Sequence, residues 1–218
     1  GQKCSAASRA YLPKSLWPVI KSSIGDMIEA ITIGDPREFS NFMNAVIDEK
    51  SFNNSMAYIN RAKNSIGVEV IFGGNGDSAK GWFVEPTVIL CEDPYYESMV
   101  EEIFAPILTI HLYDDKDFIQ ILKTCDQTSP YGLTGCLFAH DRQAVRIAIE
   151  ELKHAAGNFY VNDKPTGSVV GQQSFGGGRA SGTNDKAGSP WNLIRWASPR
   201  NIKENFNPPL DFRYSFMD

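Results

Sequence analysis

The chain has 218 residues, of which 42% are hydrophobic and 22% charged, and its formal net charge at pH 7 is −5. This length and composition predict a soluble globular protein with one large domain, or one domain with an appended arm. The negative net charge argues against a nucleic-acid-binding protein, which would carry a basic surface. No apolar run approaches the ~18 residues of a membrane span.

The first half of the chain is predicted to contain two helices followed by a hairpin. Ser15 is predicted to cap a helix over residues 17–31, in which apolar side chains recur every three or four positions. A second amphipathic helix is predicted over residues 48–64. Residues 68–72 are predicted to form a strand, with residues 82–90 as its hairpin partner.

The second half alternates strands with helices. The predicted strands cover residues 107–113, 135–139 and 158–161, and the predicted helices cover residues 115–125 and 141–154. The second of these helices is expected to bury three apolar side chains, namely Val145, Ile149 and Leu152. This alternation predicts an α/β fold with a mostly parallel twisted sheet and helices on both faces.

Two Gly-rich segments and a polar tail complete the predicted organisation. Two segments, 73–76 (GGNG) and 176–182 (GGGRASG), match neither the G-x-G-x-x-G spacing nor the Walker spacing of phosphate-binding loops. The first is predicted to be a turn, and the second to let backbone pass close to a pocket. Residues 166–189 form an irregular stretch of a length that is usually functional. Residues 198–218 are predicted to be a tail or arm, with an edge strand at 213–216.

The cysteines and histidines show no disulfide framework and no metal signature. Cys4, Cys91, Cys125 and Cys136 form no CxxC pair, so free thiols in a reducing compartment are the simpler prediction. The three histidines lie far apart in the sequence, and no metal site is predicted. Cys4 stands out because Lys3 beside it favours the reactive thiolate and the small residues after it leave room for a substrate.

A second chemical candidate is the segment 101–106 (EEIFAP), where two carboxylates precede an apolar pair and a proline. One interpretation is a solvated helix end. The other is a carboxylate that accepts hydrogen bonds from the two hydroxyls of a ribose. The residues alone leave both open.

Several segments together resemble the catalytic half of the aldehyde dehydrogenases. They occur in the family's order and are GQKCS at 1–5, GWFVEP at 81–86, EEIFAP at 101–106, YGLTG at 131–135 and FGG at 175–177. Three more resemble the mitochondrial Δ1-pyrroline-5-carboxylate dehydrogenases within that family. These are GNFYVNDK at 157–164, TGSVVGQQ at 166–173 and ASGTNDK at 180–186. The resemblance covers nearly the whole chain, and residues 1–197 would be the catalytic domain.

The resemblance implies NAD-dependent oxidation of glutamate γ-semialdehyde to glutamate, as in proline catabolism. Cys4 would be the nucleophile that forms a thiohemiacetal and then a thioester. Glu102 would hold the nicotinamide ribose, and Phe104 would contact the cofactor. Ala105 departs from the glycine that most members have there.

The resemblance also implies a substrate side, with Gly167, Ser168 and Ser5 donating hydrogen bonds to the α-carboxylate. Phe175 would pack against the aliphatic part of the substrate. Without the resemblance, Ser168 would be interpreted as a turn residue and Phe175 as part of the core.

In the family, the cofactor domain, an oxyanion-hole asparagine and the general-base glutamate precede the cysteine. The chain is therefore expected to be a fragment with little activity alone. By resemblance it is also expected to form a homodimer or higher oligomer, through residues 198–218, and to be located in the mitochondrial matrix. Two alternatives remain: a non-catalytic assembly or binding fragment, and an aldehyde dehydrogenase with another substrate.

Overall fold

A computed structural model describes residues 1–166 and 168–217 of the chain. The strands are β1 Arg9–Pro13, β2 Val68–Phe72, β3 Gly76–Asp77, β4 Phe83–Val84, β5 Thr87–Cys91, β6 Ile107–Tyr113, β7 Tyr131–Gly132, β8 Thr134–Leu137, β9 Asn158–Val161 and β10 Gly178–Arg179. The helices are α1 Trp17–Glu29, α2 Glu49–Asn64, α3 Glu97–Val100, α4 Phe118–Gln127, α5 Arg142–Glu151 and α6 Pro190–Ile194.

The main sheet has the strand order β1-β6-β5-β2. β6 runs parallel to both β1 and β5, whereas β2 pairs with β5 in the antiparallel sense. A second sheet pairs β8 with β9 in parallel. The predicted α/β class with a mostly parallel sheet is therefore confirmed. The predicted hairpin partner of β2 divides into β4 and β5, because Glu85 and Pro86 interrupt it and β4 pairs with β3 instead.

β1 was absent from the sequence-based prediction. It is only five residues long, and Arg9 and Pro13 at its ends obscure its apolar character. Pro13 is tolerated because β1 lies at the edge of the sheet, where one side of the strand needs no partner. β1 follows the cysteine loop directly, so its pairing with β6 fixes where that loop leaves the sheet.

Two apolar clusters stabilise the fold. In the first, Ile59 and Ala62 of α2 pack against Val84, Ile89 and residues of neighbouring strands. In the second, α4 and α5 pack together over β8 and β9, through side chains that include Leu122, Ala148 and Leu152. The first cluster includes Ala105 of the 101–106 segment, and the second packs on Leu137 of β8 and Phe159 of β9.

The prediction for the buried face of α5 was wrong at one position. Val145 and Leu152 are buried as expected, but Ile149 is 47% exposed and Ala148 is fully buried in its place. Residues 145, 148 and 152 lie within a narrow arc of the helix, and Ile149 falls on the flank of that arc. The helix ends at Glu151, three residues earlier than predicted.

α1 also differs from its prediction at both ends. Leu16 occupies the N-cap without a side-chain bond, and the hydroxyl of Ser15 donates instead to the carboxylate of Asp115. Pro18 in the first turn starts the helix, because its missing N–H has no helical acceptor there. The helix ends at Glu29, and the backbone of Thr32 then accepts from Phe42 and Met43.

Asp48 gives α2 a strong N-terminus. Its carboxylate accepts from the Ser51 amide at 2.7 Å. We expect Asp48→Ala to lower the free energy of unfolding by about 1 kcal/mol, because an amide at the helix start loses its acceptor. Asp48→Asn should retain nearly all of the wild-type free energy of unfolding, since asparagine caps a helix equally well. Urea unfolding of the three proteins measures this, and equal midpoints for Asp48→Ala and wild type would contradict it.

The C-terminal tail does not form the strand predicted at residues 213–216. Residues Ser215–Met217 form a short 3-10 helix, and Phe206, Leu210 and Phe212 before it are almost fully exposed. A strand requires a neighbour for its backbone hydrogen bonds, and within the described residues no strand pairs with this segment. The structure also contains, among its described helices, none long and apolar enough to cross a membrane.

Candidate active site

Cys4 lies on an exposed loop that precedes β1. Backbone bonds from Lys3 to Gly1 at 2.8 Å and from Ala6 to Lys3 at 3.1 Å shape the loop into tight turns. Gln2 fastens it to the start of α2. Its side-chain oxygen accepts from the Ile47 amide at 2.8 Å, and its nitrogen donates to the Ser51 hydroxyl at 2.6 Å.

The loop contacts the 101–106 segment through Gly1. A Cβ added to Gly1 would lie 1.9 Å from the carbonyl oxygen of Ala105 and 2.6 Å from the Cα of Pro106. Only glycine fits such a close approach. Ala105 itself is 6% exposed and belongs to the apolar cluster around Ile59, so its extra methyl group packs in the core. The structure thus brings the Cys4 loop against the predicted cofactor segment.

The two glutamates of that segment differ in their surroundings. Glu101 follows the short helix α3, and its carboxylate accepts a hydrogen bond from the Tyr58 hydroxyl, which raises the pKa of Tyr58. The interpretation as a solvated helix end therefore fits Glu101. Glu102 is exposed, and none of the hydrogen bonds among the described residues involves its carboxylate. That carboxylate can therefore accept bonds from a ligand.

Phe104 has an unusual backbone for a bulky residue, with φ at +59°. This conformation is sterically costly outside glycine and commonly marks a functional segment. The residue is 42% exposed. Glu102 and Phe104, the two residues predicted to contact the cofactor, are thus exposed, while Ala105 after them is buried.

Ser5 is buried below the exposed Cys4, with only 3% of its surface exposed. Its hydroxyl donates to the Thr166 hydroxyl at 3.2 Å, and its carbonyl accepts from the Thr134 hydroxyl at 3.4 Å. These bonds bring the Cys4 loop to the beginning of β8 and to the start of the substrate segment, residues 166–175, which carries the predicted substrate-binding residues Ser168 and Phe175. Ser168 is half-buried there, and Gly167 lies outside the described residues.

The far end of the substrate segment is anchored on β9. Phe175, which is half-buried, exchanges backbone hydrogen bonds of 2.9 and 2.8 Å with Ala187. Asn158 donates to the Ser174 carbonyl at 3.0 Å and accepts from the Gly176 amide at 3.1 Å. Because Asn158 also pairs with Thr134 in the second sheet, a continuous chain of contacts joins Ser5 to Phe175.

The Gly-rich segment after Phe175 makes close backbone contacts, whereas its predicted position beside a pocket stays a prediction. A Cβ on Gly177 would lie 2.5 Å from the Gly132 carbonyl oxygen, and one on Gly157 would lie 2.0 Å from the Gly176 carbonyl oxygen. These glycines let the 175–178 backbone lie directly on the segments that precede β8 and β9.

Two groups of functional interest were not assigned roles from the sequence. Gln2 holds the Cys4 loop, and Asn158 holds the Phe175 segment. Both belong to segments that resemble the family, but an amide's partners are distant in the sequence and only the fold reveals them. Within residues 1–166 and 168–217, no three His, Cys, Asp or Glu side chains form a group that could hold a metal ion.

The four cysteines are free, and their environments predict different reactivities. Burial raises the pKa of Cys91 to about 12 and raises the pKa values of Cys125 and Cys136. We expect iodoacetamide at mildly alkaline pH to label Cys4 first, and Cys91 more than about 100-fold more slowly because little thiolate forms there. Peptide mass spectrometry over time measures the rates. Faster labelling of Cys136 than of Cys4 would contradict this prediction.

Comparisons with known proteins agree with this geometry. The sequence profile described as the aldehyde dehydrogenase family matches residues 1–202. The mitochondrial Δ1-pyrroline-5-carboxylate dehydrogenase of Dictyostelium discoideum is 58% identical over 100% of the chain and 39% of its own length. The Δ1-pyrroline-5-carboxylate dehydrogenase of Mycobacterium tuberculosis has a similar structure, with a TM-score of 0.86 and 49% identity over 100% of this chain and 40% of that one.

A second crystal structure of the Mycobacterium tuberculosis enzyme, bound with NAD, superimposes with a TM-score of 0.83. The two sequences are 48% identical, and the match covers 100% of this chain and 39% of that one. The chain thus spans about two fifths of the length of the relatives that it matches.

Proposed function

Because the chain belongs to the aldehyde dehydrogenase family, we propose that it forms the catalytic part of an NAD-dependent Δ1-pyrroline-5-carboxylate dehydrogenase. The enzyme would oxidise L-glutamate γ-semialdehyde to glutamate. One observation carries the proposal: the exposed Cys4 lies on a loop that contacts the 101–106 segment through Gly1 and the Thr166 hydroxyl through Ser5. The names of the relatives support the choice of substrate and a mitochondrial location. Within the mitochondrion, we propose the matrix.

The proposed chemistry begins at Cys4. Its thiolate adds to the aldehyde carbon, forming a C–S bond and a thiohemiacetal. Loss of hydride from that carbon leaves a thioester, and water then cleaves the C–S bond to release the carboxylate and the thiol. NAD, when bound, supplies the hydride acceptor. The exposure of Cys4 lets the aldehyde reach the sulfur, and the bonds of Gln2 and Ser5 limit the movement of the loop.

The cofactor would be held on this chain by Glu102 and Phe104. The Glu102 carboxylate can accept from two ribose hydroxyls, and the exposed Phe104 ring offers an apolar surface beside it. The close approach of Gly1 to Ala105 supports this assignment, because it joins the loop that carries Cys4 to the segment that carries Glu102 and Phe104.

The substrate side would consist of Ser5, Gly167, Ser168 and Phe175. Hydrogen-bond donors at residues 167 and 168 suit the α-carboxylate of the semialdehyde, and the Phe175 ring suits its methylene groups. The bond from Ser5 to Thr166 supports this arrangement, because it joins the segment before Ser168 to the loop that carries Cys4.

Turnover tests use a polypeptide of the relatives' length that contains this chain, referred to below as the full-length enzyme. We expect it to form NADH from Δ1-pyrroline-5-carboxylate and to release glutamate, identified by mass spectrometry. Added glutamate should compete, because it carries the same α-carboxylate. The 218-residue chain alone serves as the control and should show no turnover. A full-length enzyme that oxidises simple aldehydes but is insensitive to glutamate would indicate another substrate.

A second role, assembly, is supported by the tail. Of residues 198–218, several carry large apolar side chains exposed to solvent, including Ile202, Phe206 and Leu210. We propose that residues 1–197 form the catalytic domain and that the tail is an arm that packs on another copy in a homodimer or larger homo-oligomer. The molar mass of the full-length enzyme in solution, with and without residues 198–218, tests this. An unchanged number of subunits after truncation would contradict it.

A further inference from the structure

The Lys186 ammonium group is enclosed by backbone and amide oxygens. It donates hydrogen bonds to the carbonyls of Gly157 and Gly176, the latter at 2.8 Å, and approaches the side-chain oxygen of Asn158 at 3.5 Å. An ammonium has three donors and no acceptor. Here each donor has an oxygen to which it can point.

The surroundings of Lys186 distinguish it from a solvated surface lysine. The residue is half-buried, and burial lowers the pKa of its ammonium. Across the described parts of the chain, 1–166 and 168–217, no carboxylate lies within ion-pair distance of it, and the neighbouring Asp185 pairs with Arg195 instead. Its φ is +57°, a left-handed conformation that is sterically unfavourable for a residue with a side chain. The fold thus holds a strained backbone that directs this ammonium inward.

The groups that Lys186 joins come from two different parts of the fold. Gly157 and Asn158 stand at the beginning of β9, whereas Gly176 follows Phe175 directly. The Gly176 amide also bonds to Asn158 at 3.1 Å, so Gly176 is held at both its amide and its carbonyl. The Phe175 backbone between these anchors and Ala187 has little freedom to move.

We propose that Lys186 is a positioning residue for substrate binding. Through Gly176 and Asn158, it fixes Phe175 where that ring packs on the methylene groups of the aldehyde. This proposal rests on the proposed function, because Phe175 meets the substrate only if the chain is part of the dehydrogenase. Lys186 itself touches neither the aldehyde nor the cofactor.

The test replaces Lys186 by methionine, which retains the length and removes the ammonium, and by arginine, whose planar fork does not fit a cup of three oxygens. Lys123→Met on the exposed side of α4 is the matched control. In the full-length enzyme, we expect Lys186→Met to raise the KM for the semialdehyde about tenfold. The kcat should stay within about threefold and the KM for NAD should not change. Lys186→Arg should restore only part of the loss.

A second readout is independent of turnover. Hydrogen exchange at the Phe175 and Gly176 amides should accelerate in Lys186→Met and not in Lys123→Met. Unchanged exchange, or accelerated exchange with an unchanged KM for the semialdehyde, would overturn the role of Lys186. An equal loss of kcat and of affinity for NAD would show a general structural defect and would also overturn it. A wild-type enzyme inactive on the semialdehyde would instead overturn the proposed function, whatever the exchange result.

Discussion

Cys4→Ala in the full-length enzyme should lower kcat for the semialdehyde by more than about 10⁴-fold. The loss is large because the proposed reaction has no other route to the thioester: without the sulfur, no C–S bond forms and hydride must leave a hydrated aldehyde. The KM for NAD should stay within about threefold of wild type, since the proposed cofactor contacts lie at Glu102 and Phe104. NADH formation under substrate saturation measures the effect.

The matched control for Cys4 is Cys136→Ala, on β8 and outside the proposed site. It should retain nearly full turnover, because the half-buried thiol takes no part in the reaction. If the kcat of Cys4→Ala lies within about tenfold of the wild-type value, Cys4 is not the nucleophile.

The largest effect on stability is expected from Gly157→Ala. The new Cβ would lie 2.0 Å from the Gly176 carbonyl oxygen and 2.7 Å from the Gly177 Cα. Both are backbone atoms, so relief requires the 175–178 segment to move away from β9. We expect the free energy of unfolding to fall by about 2–3 kcal/mol, and the melting temperature by roughly 5–10 °C.

Gly178→Ala offers a close comparison for this effect. Gly178 belongs to the 175–178 segment, but a Cβ there would meet no atom within 4 Å. The melting temperature of Gly178→Ala should therefore be close to that of wild type. Thermal unfolding followed by circular dichroism gives the melting temperatures of wild type, Gly157→Ala and Gly178→Ala. Equal midpoints for Gly157→Ala and Gly178→Ala would show that the close approach of the two backbones contributes no stability.

The elements that the sequence predicted best are three of the strands. The bounds of β2, β6 and β9 agree with the prediction, because runs of four to seven residues with β-branched and aromatic side chains are too short for a typical helix and suit a strand. β1 was missed because an edge strand is held mainly by its neighbour β6, and its own residues carry a weak pattern. The exposed Ile149 and the absent strand at 213–216 have the same cause: packing partners decide burial and pairing, and local periodicity does not contain them.

The residues of the candidate site could be predicted from the sequence, but the hydrogen bonds that hold their segments in place could not. The local sequence made Cys4 and the carboxylates of residues 101–106 candidates, and the resemblance gave Glu102 and Ser168 their predicted roles. The fold brings their segments together through Gly1, Ser5 and Thr166. The bonds of Gln2, Asn158 and Lys186 could not be inferred, because each joins residues from different parts of the chain. Gln2, for example, bonds to Ser51, 49 residues away. Such partners follow from the topology of the sheet and cannot be read from spacing.

The central claim is that Cys4 carries the substrate as a thioester. Rapid acid quenching of the full-length enzyme with Δ1-pyrroline-5-carboxylate and NAD, followed by peptide mass spectrometry, tests it most directly. The claim predicts the mass of a glutamyl group on the peptide that contains Cys4, dependent on NAD and absent from Cys4→Ala. NADH formation with the glutamyl mass on another cysteine, or with none on any peptide under single-turnover conditions, would contradict it.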